Sequence, residues 1–64
     1  ANKMDAFMTK IIEDITNILN EKTLSIEELK ELLPYKENDI IVAIRFLLGK
    51  EIIYQDVEKK FFKK

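Results

Sequence analysis

Apolar positions recur every three or four residues near the start of the chain, at Phe7, Met8, Ile11, Ile12, Ile15, Ile18 and Leu19, with Lys10, Glu13, Asp14, Asn17 and Asn20 between them. That spacing stacks the apolar groups along one side of a helix running from about 5 to 20. Its Ile residues are β-branched and slightly unfavourable in an isolated helix, so packing must stabilise the segment. The next signal is "TLSIEEL". Ser25 can cap the amide three residues on while Glu28 reaches back to the amide of Ser25, which makes a capping box, and Leu24 and Leu29 suit a hydrophobic staple. A second helix over about 25–33 follows, with Glu27, Glu28 and Glu31 complementing its positive start. Pro34 ends it, because proline disfavours helical geometry in the preceding residue.

Beyond the corner at "LPYK", helical spacing resumes with Ile40, Ile41, Ile44, Leu47 and Leu48 on one side. This predicts a third helix over about 37–49, with Gly49 as its stop. Lys36 offers no side-chain cap there, so Asn38 is expected to cap from a later start. The period then changes. "IIYQ" and "KFFK" are β-branched and aromatic, and the polar "DVEK" between them can reverse the chain, so 52–63 reads as a β-hairpin without the Asn-Gly or Asp-Gly turn. An isolated hairpin is marginal, and "KTL" at 22–24 is expected to add a third strand. The fold class is mainly α with a β-hairpin (α+β), in one domain over 1–64.

Composition narrows the chemistry. The 64 residues, 47% hydrophobic and 36% charged with one Gly and one Pro, suit a small folded domain and not a disordered chain. There is no Cys and no His, which removes disulfides, thiolate metal sites and the commonest metal ligand and general base. Glu13, Asp14, Glu27, Glu28 and Glu31 are expected on solvated faces or at a helix start, where structural roles suffice. No enzyme activity, no cofactor, no metal and no small-molecule ligand is expected. No apolar run approaches the roughly 20 residues that span a bilayer, and the start carries no secretion-type segment, so the expected setting is cytoplasmic, without a membrane partner. "ANK" ahead of Met4 is open to reading as native sequence or as a cloning remnant. Charge is uneven: residues 1–33 hold four Lys against seven acids, and residues 34–64 hold seven basic groups against five acids. Four of those, Lys59, Lys60, Lys63 and Lys64, crowd the C-terminal end.

Helix, short strand, capped helix, tight corner, helix, hairpin is the order of the winged helix-turn-helix superfamily. From roughly Met4 to Lys63 the chain resembles its small bacterial and archaeal modules, through Ala43 and Leu47 on the third helix, Lys50 at the turn, and Ile52 and Ile53 in the first wing strand. The resemblance implies a three-helix winged helix-turn-helix whose third helix faces a nucleic acid, in a transcription-associated role. The alternative is a protein-interaction or homodimerisation module without DNA binding, because the superfamily includes both. The chain departs from the usual pattern at the uncapped Lys36 and at an acidic wing turn, Asp56 and Glu58.

At about 100° per residue, the third helix would turn Asn38, Asp39, Val42, Arg45, Phe46 and Gly49 outward. If the partner is double-stranded DNA, Arg45 and Asn38 have the side chains that read base edges. Lys36, Lys50, Lys59 and Lys60 would then hold the phosphate backbone. The plain alternatives are a solvated Arg45 and a lysine edge that protects a sticky strand from pairing with other chains. Val42 and Phe46 would form an apolar strip suited to a second copy or a larger protein, unless Phe46 tucks inward. Tyr54, Phe61 and Phe62 mostly suit packing of the wing on the helices, but a regular strand turns one of the adjacent pair outward. Phe61 is assigned to the interface set with Val42 and Phe46.

Overall fold

The computed structural model describes residues 6–64. The expected helix start at Asp5, the reading of "ANK" and the Met4 end of the resemblance lie outside the described residues. Five elements follow in order: α1 (Ala6–Leu19), α2 (Ile26–Leu32), α3 (Glu37–Gly49), β1 (Ile53–Gln55) and β2 (Phe61–Lys63). Three helices followed by a two-stranded antiparallel hairpin is the arrangement that the periodicity predicts.

α1 and α2 each pack mainly on α3. Ile11, Ile15 and Leu19, four residues apart, line the buried side of α1 and meet Ile40, Ala43, Ile44 and Leu47 of α3 in one core with Leu24, Leu29, Leu33, Ile53 and Phe61. Among the described residues no polar or charged one is buried, so the core's cohesion is apolar burial.

The start of α2 is built as expected. The Ser25 side chain accepts from the Glu28 amide at 3.2 Å and the Glu28 carboxylate accepts from the Ser25 amide at 2.9 Å. Leu33 closes the helix in an extended conformation, its N–H bonded to the Leu29 carbonyl.

α3 runs over the expected span, Glu37–Gly49, but its capping differs from expectation. Asn38 does not cap it: the helix starts at Glu37 with Lys36 at the N-cap and no side-chain cap bond. Gly49 does end the helix, although it is not the residue that turns the chain. The chain turns at Glu51, whose φ is 59°. The Glu51 amide bonds to the Leu48 carbonyl and the Ile52 amide to the Leu47 carbonyl, each at 3.0 Å. That is a Schellman motif, with Glu51 in the left-handed position where glycine is preferred.

The hairpin pairs Ile53 with Lys63, Tyr54 with Phe62 and Gln55 with Phe61. Lys59 occupies the left-handed region, φ 64°, and its amide bonds to the Asp56 carbonyl at 3.0 Å, as in three-residue loops that end on a left-handed residue. The third strand is a single bridge: Leu24 and Phe61 exchange both backbone bonds, at 3.0 and 2.7 Å. Leu24 stands one residue before the Ser25 cap, so the chain enters α2 before a longer strand can form. The bridge settles the Phe61/Phe62 choice against expectation. Phe61, paired on both sides and turned to the core, is 7% exposed, and Phe62 is the half-exposed one.

Candidate interaction surface

The outward side of α3 differs from the expected one by a rotation. Asn38, Val42, Arg45 and Gly49 are exposed, and Val42 is 48% exposed. Asp39 and Phe46 are half-buried at one flank; Phe46 packs against the core, and the Lys50 ammonium lies 5.8 Å from its ring centroid. The expected Val42–Phe46 strip is therefore reduced to Val42. The apolar stripe of α3 is centred nearer Ile40 and Leu47 than the sequence estimate, which swings Phe46 toward the interior.

The same rotation opens the opposite flank. Between α3 and the hairpin lies a cleft of about 280 Å³ lined by Ile26, Ile41, Ile44, Leu48 and Phe61, with Arg45 and Gln55 as its polar members. The row Leu24, Phe61, Gln55 across the small sheet places one wall, and the helical spacing 41, 44, 48 places the other. Phe61 thus lies at the cleft from within the core. Sequence reasoning named Ile41, Ile44 and Leu48 only as core and did not single out Ile26 or Gln55. The available signal was the width of the α3 stripe, five apolar positions where a helix with one packing partner needs fewer.

Arg45 stands at the rim. The positions three and four residues away on its helix are Ile41, Val42, Leu48 and Gly49, so no neighbouring turn supplies a carboxylate. Among the described residues the salt bridges are Lys10–Asp14 and Lys30–Glu37, and Arg45 takes part in neither.

The other expected phosphate contacts are dispersed. Lys36 and Lys50 flank opposite ends of α3, roughly 20 Å apart at 1.5 Å per residue. Lys59 is at the hairpin turn and Lys60 stands beside Glu28, contributing to holding that carboxyl low after the larger effect of the Ser25 amide. The acidic turn has an internal reason. The Asp56 carboxylate accepts from the amides of Glu58 and Lys60 at 2.9 and 3.0 Å, so it shapes the loop, and Val57 at the tip is 99% exposed.

On α1, Asp14 is not a freely solvated helix charge. Its carboxylate accepts from the Tyr35 hydroxyl at 2.5 Å and from the Lys10 ammonium at 2.9 Å, and the Phe7 ring meets Tyr35 edge-on at 5.8 Å. The Tyr35 bond, then Lys10, hold the Asp14 carboxyl below its ordinary range; in return Asp14 raises Tyr35 and Lys10 above theirs. The group fastens the α2–α3 corner to α1.

Among the described residues no three Asp or Glu side chains gather where they could hold a metal ion, and no helix is long and apolar enough to cross a membrane. Models of protein families, curated proteins and solved structures give no match to this chain.

Proposed function

We propose that this chain is a winged helix-turn-helix module that works by binding, not catalysis, and that it binds protein through the cleft between α3 and the hairpin wing. The observation that carries this reading is the apolar lining of that cleft beside the exposed face of α3, with Arg45 and Gln55 its polar members. A helix that reads DNA in the major groove presents donors and cations to bases and phosphates. Here its flank presents the half-buried Ile41 and Leu48 over the buried Ile44, and acids stand at its first turn, Glu37 and Asp39. Partly exposed apolar side chains at a concave site favour burial against another protein.

Nucleic-acid binding in a transcription-associated role is the second reading. It is favoured by the use of Asp56 inside the turn, which leaves Lys59, Lys60, Lys63 and Lys64 as the dominant charge of the wing. One experiment separates the two. Amide shifts of the isotope-labelled chain are followed while a random-sequence duplex is added at low salt. The protein-binding reading expects no salt-dependent movement at Asn38, Arg45, Lys50 or Lys59. Saturable shifts there that vanish as salt rises would overturn it in favour of phosphate contact.

A further inference from the structure

We infer that the occupant of the cleft is an aliphatic peptide segment of another protein that brings a carboxylate to Arg45. This rests on the protein-binding reading above and specifies the chemistry of the partner. The cleft, of about 280 Å³, has room for one or a few inserted side chains. Its accessible walls, Ile26, Ile41 and Leu48, stand over a floor of buried Ile44 and Phe61 and match branched or linear aliphatic groups.

Charge complementarity selects the remaining feature. Arg45 is the one charged residue lining the cleft, it forms no ion pair among the described residues, and its helical neighbours at three and four residues are all apolar. A guanidinium presents a planar fork of donors that a carboxylate fits in a two-bond arrangement. Next to apolar walls such a pair is partly shielded from water, and the neighbouring aliphatic contacts fix its geometry. A phosphodiester backbone is the poorer match, because its regularly spaced charges call for several cations and the lining supplies Arg45 alone.

The test uses the whole chain and three short amphipathic peptides with leucines along one face, identical except that the residues flanking that face are all Glu, all Gln or all Lys. Each is titrated into the isotope-labelled protein. The expected result is shifts at Ile41, Leu48 and Gln55, with the Glu peptide binding about three- to fivefold tighter than the Gln peptide, the scale of a solvent-accessible ion pair, and the Lys peptide weakest. R45Q removes the preference and R45E reverses it; Arg45 is exposed, so both variants keep the fold, which circular dichroism checks. Equal binding of the three peptides at the cleft would overturn the carboxylate inference and leave the protein-binding reading standing. Absence of cleft shifts with every peptide would overturn that reading itself. Inorganic phosphate that displaces the Glu peptide at millimolar concentration would reassign Arg45 to a phosphate.

Discussion

Ser25 and Lys36 hold the same place, the N-cap, in two successive helices. Ser25 closes a two-way capping box with Glu28 at the start of a helix of seven residues that buries Leu29. Lys36 makes no side-chain cap bond, yet it precedes a helix of thirteen residues that buries Ile40, Ala43, Ile44 and Leu47. A segment as short as α2 is unstable alone in water, and local bonds at its ends weigh heavily. α3 needs no such help because α1, α2 and β1 all pack on it. One helix is specified next to itself in sequence and the other by contacts at a distance. The consequence for function is direct: Asn38, Val42, Arg45 and Gly49 support neither the cap nor the core, so the outward face of α3 is free to be shaped by a partner.

The largest effect should come from removing the contacts that hold α3. Leu47→Ala deletes a side chain that is 1% exposed and should cost about 2–5 kcal/mol, a large share of the roughly 3–10 kcal/mol available to a domain of this size. Chemical denaturation followed by circular dichroism measures it. Arg45→Ala in the same assay should stay within about 0.5 kcal/mol. A loss under about 1 kcal/mol for Leu47→Ala would show that α3 does not depend on packing and would dissolve the contrast with α2.

The same division explains what could be read from the chain. The capping box was legible because Ser25 and Glu28 are three residues apart and the chemistry needs nothing else. The strands were legible from their change of period, and the core from the three-and-four spacing. What escaped depended on distant partners. Asn38 looked like the better cap, but the position of α3 is set by Ile40 and Ala43 reaching the core, which brings the start to Lys36. Gly49 ends the helix as read, but the left-handed residue that closes the Schellman bonds is Glu51 and not the glycine. The outward choice between Phe61 and Phe62 turned on the bridge to Leu24, more than thirty positions away. Tyr35 and Asp14 meet across 21 residues, and neither carries a local sign of the other. The cleft is a product of both ignorances, since it needs the true rotation of α3 and the true face of β2.

An intermediate effect should sharpen the comparison from both sides. Ser25→Ala removes the side-chain acceptor and should destabilise the domain by about 1 kcal/mol. Lys36→Ser supplies the missing acceptor at a position whose backbone is already extended, φ −68° and ψ 147°, and should stabilise by about 0.5–1 kcal/mol. Thermal melts of the two variants should move in opposite directions. A neutral result for Lys36→Ser would mean that the start of α3 is already satisfied by water.

The smallest effect should appear in acid, and it too should separate the helices. The Glu28 carboxyl is held below its ordinary value of 4.5 by the Ser25 amide, and the Asp14 carboxyl below 3.8 by Tyr35 and then Lys10. A carboxyl that is more acidic in the folded chain than in the unfolded one stabilises the fold while ionised, so each contribution is complete above its ordinary value and fades as pH falls through the lower folded value. Stability should therefore decline gently below about pH 4.5, first through the box at α2 and then through the clasp that holds the corner to α1. Glu28→Gln should flatten the upper part of this decline and Asp14→Asn the lower part. The clasp has an alkaline counterpart, because Tyr35 and Lys10 are raised above 10.0 and 10.5: their share is complete below those values and is lost as pH rises through the higher folded ones. Asp14→Asn should remove that loss, and Glu28→Gln should leave it unchanged. Denaturation midpoints across pH for the three proteins decide it, and an acid decline untouched by either substitution would place the responsible carboxyl elsewhere in the chain.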